Sequence, residues 1–466
     1  MSRPPSNRRS RLPAGCTVGC LGLALASFLA SAAGPRAQTG VAQSEPGLFE
    51  RERLTGDWGG ARTQLEDGGV TLGLTATGDV SINPAGGLRR GRGFSGLLQL
   101  GADFDLEKLA GWTGGGIHAG AFFIGGRGLS GKFLGNLMPI SNVESDPAER
   151  LAELYFMQTL FDGRLSFKIG QIAADGEFAT SETAGLFVNS AFGWPGLNGI
   201  VLPGGGPAYP VPAPGARIAF KPEASWTLQA GIFGGNPLGR HGRNTNGLSF
   251  PLDQGAFAIA EAAYTHDFGE GITGTYKLGG WYNSRRFDDL RIAANGLPLA
   301  DPDSEADPRR HRGNFALYGV VDQVLWASPD IEATGRSLAA FARVVVAPER
   351  DRSHVDVYAD AGVTYTGLLP GRRNDVVGIA VAYASVSPSL RQFDRDALRF
   401  SGEPGPVRSS EVVIEASYQA LVAPWLKVQP FAQWIVRPGG GEPDPEAPWQ
   451  RIQDATVLGM RSVSVF

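Results

Sequence analysis

Residues 97–106 set Leu98, Leu100, Ala102, Phe104 and Leu106 against Leu97, Gln99, Gly101, Asp103 and Asp105. Side chains that change character at every second residue belong to an extended strand, because only there do neighbours point to opposite faces. The pattern recurs. In 355–366, Val355, Val357, Ala359, Ala361, Val363 and Tyr365 alternate with Asp356, Tyr358, Asp360, Gly362, Thr364 and Thr366. In 412–419, Val412, Ile414, Ala416 and Tyr418 oppose Glu415, Ser417 and Gln419, and in 426–437 Leu426, Val428, Ala432, Trp434 and Val436 oppose Lys427, Gln429, Gln433 and Arg437. Each run is about ten residues long, the length a tilted strand needs to cross a bilayer. Sixteen such runs are predicted: 69–83, 94–106, 115–126, 151–161, 164–173, 215–222, 225–235, 255–267, 271–283, 313–327, 337–347, 354–367, 375–387, 411–423, 425–437 and 455–466.

The links between runs sort by length. Phe161 to Arg164, Lys221 to Ser225, Phe268 to Gly271 and Val422 to Trp425 are short, whereas 128–150, 174–213, 236–254, 284–312, 388–410 and 438–454 are long. Short and long alternate in chain order, as expected when one rim of a barrel faces the periplasm and the other the exterior. Sixteen is an even count, so both ends of the sheet fall on one rim. Phe466 closes the last run, an aromatic end usual in outer-membrane proteins, although Ser462 and Ser464 interrupt the apolar face there. Tyr264, Tyr276, Tyr282, Tyr365, Tyr418 and Trp434 fall near strand ends, where an interfacial girdle belongs. A secreted sandwich or propeller fits less well, since no repeat of forty to fifty residues is present. The fold class expected is all-β: a transmembrane antiparallel barrel of about sixteen strands with a short N-terminal helix and long extracellular loops.

The N-terminus supports export. Arg3, Arg8, Arg9 and Arg11 precede an apolar run from Val18 to Ala33, followed by Pro35-Arg36-Ala37. This reads as a secretory signal over residues 1–37, too short to serve as a membrane-spanning anchor. Residues 38–68 then form a periplasmic segment and 69–466 the barrel. Cys16 and Cys20 leave with the signal, so no thiol chemistry is expected. Five of 42 basic residues leave too; 42 − 5 = 37 bases against 46 acids gives a net charge of −9, which argues against nucleic acid as a partner. The chain has 66 glycines and only 4 methionines, and long amphipathic helices are scarce.

Ahead of the first strand, residues 54–69 read Leu-Thr-Gly-Asp-Trp-Gly-Gly-Ala-Arg-Thr-Gln-Leu-Glu-Asp-Gly-Gly, with a short helix expected from about Gly60 to Asp67. This stretch resembles the opening of the carbohydrate-selective porin family (OprB-type) at Gly56, Asp57, Trp58, Gly59, Gly60, Arg62, Leu65 and Gly69. The stretch from Gly170-Gln171 to Phe178 is similar to that family's segment after the fifth strand. The resemblance implies a sixteen-stranded pore that admits monosaccharides such as glucose, with sugars as small-molecule partners, no cofactor and no catalysis. The motif itself is expected to plug or brace the periplasmic mouth without touching sugar.

A barrel of sixteen strands is wide unless something narrows it. Residues 174–213 form the longest outer link, and structureless loops of that length are usually functional. They are expected to fold inward as the constriction. They carry Asp175, Glu177, Glu182, Phe178, Phe187, Phe192, Trp194 and Tyr209. Carboxylates and aromatic rings would meet the hydroxyls and the C–H face of a sugar. Alternation points Lys168, Lys277, Trp281, Arg343, Lys427, Gln429 and Arg437 into the lumen as the opposing wall. The Gly126–Gly131 match to a dinucleotide fingerprint lacks a following helix, and the acids Asp301 to Asp307 lack the spacing of a calcium loop. Rival functions are a general or anion-selective porin and an outer-membrane barrel enzyme, though His118, His241, His266, His311 and His354 sit near no Ser/Asp constellation. Location in the Gram-negative outer membrane implies contact with lipid and lipopolysaccharide, and a homotrimer is one possible assembly.

Overall fold

The computed structural model describes residues 47–466; the signal expected over 1–37 and the start of the segment 38–68 lie outside the described residues. The wall begins with β1 (Val70–Gly87), β2 (Gly91–Asp105), β3 (Gly115–Arg127), β4 (Ala148–Leu160), β5 (Leu165–Ile172) and β6 (Ala213–Phe220). It continues with β7 (Trp226–Gly234), β8 (Ala256–Asp267), β9 (Thr273–Ala293), β10 (Pro308–Ala327) and β11 (Ser337–Val346). It ends with β12 (Val355–Thr366), β13 (Val376–Val386), β14 (Ser410–Ala423), β15 (Leu426–Val436) and β16 (Gln453–Val465). Each strand pairs antiparallel with the next, and β1 pairs with β16 from Thr75↔Val465 to Gly87↔Gln453, so the sheet closes. Closure removes the edges that would otherwise leave unpaired backbone in lipid.

Alternation sets the two faces of the wall. On β13, Ile379, Val381 and Tyr383 are exposed on the outside while Ala380, Ala382 and Ala384 are buried on the inside. Leu278 and Leu317, 72% and 59% exposed, are lipid-facing positions of the same kind. At the short-turn rim Trp226 pairs with Tyr264 and Trp326 stacks on Tyr365, as an interfacial girdle requires. Among the described residues no helix is long and apolar enough to cross a membrane.

Three connections depart from expectation. Residues 284–312 are mostly strand, because β9 runs on to Ala293 and β10 starts at Pro308, making a ribbon that rises above the neighbouring strands. Residues 388–410 contain a helix, Pro388–Ser401, capped by Ser387 and stopped by Gly402 at φ 72°. The long-loop rim also has one tight link, 88–90, between β1 and β2.

The Gly56–Gly69 stretch sits against the short-turn rim. Trp58, Gly59 and Gly60 take successive positive φ of 54°, 68° and 95°, which is why glycines follow the tryptophan. That turn lets Asp57 Oδ1 accept from the Thr63 backbone N–H and hydroxyl, both at 2.9 Å, at the start of helix Ala61–Asp67. The Arg62 guanidinium lies 4.1 Å over the Trp58 ring, and Arg53 pairs with Glu66 at 2.6 Å. Leu54 N–H donates to Val465 O and Trp425 Nε1 to Leu48 O, so the segment straps the closure seam. Asp57→Ala is expected to lower unfolding stability by about 1 kcal/mol, the usual worth of a lost helix cap. Denaturant unfolding in detergent checks this, with sugar permeation unchanged.

Candidate functional site

The link 173–212 folds into the barrel and packs an apolar face on the wall. Phe187 and Phe192 meet Phe341 at ring separations of 5.9 and 6.2 Å, and Phe178, Val188 and Leu197 join the same core. An irregular segment buried in this way has no strand partner for its backbone, and wall side chains supply one. Glu261 on β8 accepts from Ala179 N–H at 2.8 Å. Asp322 on β10 accepts from Ser181 Oγ and Thr183 N–H. Glu415 on β14 accepts from the N–H groups of Val188 and Asn189 at 2.7 and 2.8 Å. Gln429 donates to Leu186 O at 2.7 Å.

Arg343 on β11 does the most. Its guanidinium donates to the carbonyls of Ala179, Ala191, Phe192 and Gly193 and pairs with Asp360 on β12, whose carboxylate Tyr358 also reaches. One planar fork of five N–H donors suits such a cluster of carbonyls as no other side chain does.

A second link also folds inward, unforeseen from the sequence. Residues 128–147 bury Leu129, Leu134, Met138 and Ile140. Glu411 on β14 accepts from Leu137 and Met138 N–H at 2.7 and 2.9 Å. Arg461 on β16 forms a bidentate pair with Asp79 on β1 and donates to Ser141 Oγ and Asn142 Oδ1. Tyr209 donates to Val143 O at 2.9 Å and so ties the two infolded links together.

Between these links and the wall of β1, β2 and β16 lies a cavity of about 630 Å³. Trp194, Asp175, Glu144, Asn142, Tyr209 and Arg461 line it, with Gln99 and Thr77 on the wall. Trp194 is half-buried with its Nε1 held by Gly205 O at 3.1 Å, which fixes the ring plane. Asp175 accepts from Tyr209 N–H at 2.8 Å, yet burial pushes its carboxyl up to about 6. Burial likewise raises Glu144, against the two hydrogen bonds it receives from Ser130. A chamber with carboxylates, an arginine, amides and an indole is suited to a neutral polyhydroxylated solute.

The remaining expected residues divide. Lys168 pairs with Glu177 at 2.6 Å and lies 4.5 Å over the Tyr155 ring; Arg217 is the other partner of Glu177. Lys277 donates to Thr180 O at 2.8 Å, so it pins the loop. Trp281 and Arg343 point inward as alternation required, but at 3% and 1% exposure they lie under the loop and brace it instead of facing the chamber. Glu182 and Lys427 are exposed. Arg437 caps the outer end of β15, donating to Ser410 O and Oγ, and is a rim residue. Among the described residues one group, Asp289, His311 and Asp351, brings metal-ligand atoms within 4.8 Å of one another. Asp289 and His311 lie on the β9–β10 ribbon and Asp351 in the link from β11 to β12, and the side chains are already paired.

Two outcomes are expected. Arg343→Met takes the guanidinium from four loop carbonyls and from Asp360, leaving Ala191 O and Asp360 only the Tyr358 hydroxyl, and breaking a buried pair costs about 3–5 kcal/mol; single-channel recordings should show a larger, noisier conductance than wild type. The upward shift of Asp175 means its charge is present above pH 6 and lost below. The preference for cations over anions should therefore fall as pH drops through about 6, and Asp175→Asn should abolish that step in reversal-potential measurements.

Comparison with known proteins agrees with this geometry. The family model for carbohydrate-selective porins of the OprB family matches residues 89–466. The chain is 27% identical to Porin B of Pseudomonas aeruginosa, with 99% of each protein covered. It is 24% identical to a putative porin, QuiX, of Acinetobacter baylyi, over 88% of this chain and 92% of that one. A high-pH structure of Pseudomonas putida OprB superposes with a TM-score of 0.79 at 27% identity, covering 91% of this chain and all of the other. The infolded links, the closed sheet and these matches converge: this chain belongs to the carbohydrate-selective porin family of the OprB type, channels for sugar diffusion in the Gram-negative outer membrane.

Proposed function

We propose that the chain passes monosaccharides such as glucose by unassisted diffusion through the chamber beside Trp194, with no chemical step. The observation that supports this most directly is the pairing of a fixed indole with hydrogen-bonding groups of both signs around one cavity of about 630 Å³. A sugar presents an apolar C–H face to the ring while its hydroxyls replace water at Asp175, Glu144, Asn142 and Arg461. Binding of that kind is weak at each group, and a channel needs it weak, because a solute must leave as readily as it enters. Mixed charge argues against the anion-selective alternative: Lys168 and Arg217 face Glu177, and Arg461 faces Asp79. Residence among lipid and lipopolysaccharide, and assembly as a homotrimer, are parts of the same proposal; electrophoresis of unheated protein reads out the second.

Liposome swelling across a panel of sugars, amino acids and organic anions tests the reading. Hexoses should permeate faster than amino acids or anions of similar size, and Trp194→Ala should reduce that preference severalfold while leaving salt conductance nearly unchanged. Equal rates across the panel would identify a general porin.

A further inference from the structure

The outward face of the β9–β10 ribbon is ordered in rungs. Leu317 lies opposite Gly280 and Leu278 opposite Gly319, and Leu278 and Leu317 are the most exposed large apolar side chains of their strands. The next rung pairs Tyr282 with Phe315. Tyr282 remains 47% exposed and packs over Gly313, where a Cβ would come within 2.5 Å of the tyrosine hydroxyl. This is the position of an interfacial aromatic. Above it, Arg286 lies directly opposite Arg312, both exposed. Arg286 is four steps along the strand from Tyr282, about 13 Å at about 3.3 Å per residue.

Like charges directly opposite on neighbouring strands are destabilising. Neither arginine side chain has a hydrogen bond or ion pair among the described residues. The nearby acids are engaged elsewhere: Asp288 with Arg310 at 3.4 Å, and Asp253 with Arg240 at 3.1 Å. Beside Arg286 is a polar cavity of about 420 Å³ lined by Asp253, Ser284, Arg285, Arg286, Asp288 and Arg310. The ribbon itself is held from behind. Phe287 is buried, His311 bonds Asp289 at 2.7 Å, Arg291 bonds Asp396 of the loop helix at 2.7 Å, and Leu290 N–H donates to Asp351 O. The two guanidinium groups therefore sit on a fixed scaffold above the lipid-facing band.

We propose that Arg286 and Arg312 clamp a phosphate of an outer-leaflet glycolipid, whose acyl chains lie along Leu278 and Leu317 below Tyr282. A phosphate monoester carries up to two negative charges and accepts the parallel N–H pairs of two guanidinium forks, which cancels the repulsion between them. A single carboxylate would leave one charge uncompensated. The apolar, aromatic, cationic order of the rungs matches the order of a phosphorylated glycolipid from its tails to its head. This proposal rests on the outer-membrane placement of the barrel, not on which sugar passes through it.

Native mass spectrometry of the detergent-solubilised protein tests it, with bisphosphorylated lipid A and lipid A stripped of both phosphates as probes. Wild type should retain the phosphorylated lipid at least tenfold better than the stripped one. Arg286→Gln/Arg312→Gln should lose at least tenfold in retention, with each single substitution falling between. Inorganic phosphate at the same concentration should not displace the lipid. Equal retention of the two lipids, equal retention by wild type and double variant, or displacement by inorganic phosphate would overturn the assignment. Hexose permeation by the double variant, measured in parallel, should match wild type, so a failed clamp leaves the reading of the pore untouched.

Discussion

An irregular chain buried inside a closed sheet carries N–H and C=O groups that no strand will pair, and each must find a partner or cost free energy. This constraint explains the inner wall. Glu261, Asp322, Glu411 and Glu415 take loop N–H groups, while Arg343, Gln429 and Lys277 give hydrogen bonds to loop carbonyls. Hydrogen bonds to charged groups contribute about 1.5–3 kcal/mol each, and several act on one loop here. Side chains that would be solvated lining in an empty barrel serve as the loop's substitute for secondary structure.

The arrangement also determines where the lumen stays open. The infolded links take the lumen beside β8 to β14, where the ring cluster of Phe187, Phe192 and Phe341 and the small residues Ala380, Ala382 and Ala384 admit close packing. Space remains beside β1, β2 and β16, and there the lining turns polar. The narrowing is thus a property of two loops and the wall together. Residues that hold the loop from behind, such as Arg343 and Trp281, shape that space without lining it.

Much of this was legible in the chain. A period of two over ten residues survives any tertiary context, because a slip by one residue would turn an apolar face into the lumen, and all sixteen strands appear where alternation predicts them. The inward fold of 173–212 was legible from its length and its aromatic residues. The link 128–147 was not: its buried side chains, Leu129, Leu134, Met138 and Ile140, follow no period, and its length is ordinary for an outer loop. The helix at Pro388–Ser401 had readable signals in Ser387, Pro388 and Gly402, which the loop assignment passed over. Parity placed Arg343 and Trp281 inward correctly, but parity carries no information about what covers an inward residue. Whether such a residue meets solute or a loop is decided by contacts 83 positions away in the chain for Trp281 with Asn198 and 164 for Arg343 with Ala179.

The size of the opening is the most direct consequence of loops held in this way. Swelling of liposomes containing the protein, measured with neutral polyethylene glycols of graded length, reports it without reference to charge or sugar chemistry. Permeation should cease just above the size of a small saccharide. Passage of polymers that would fit an unobstructed sixteen-stranded barrel would contradict the account, since the loops could not then occupy the lumen as described.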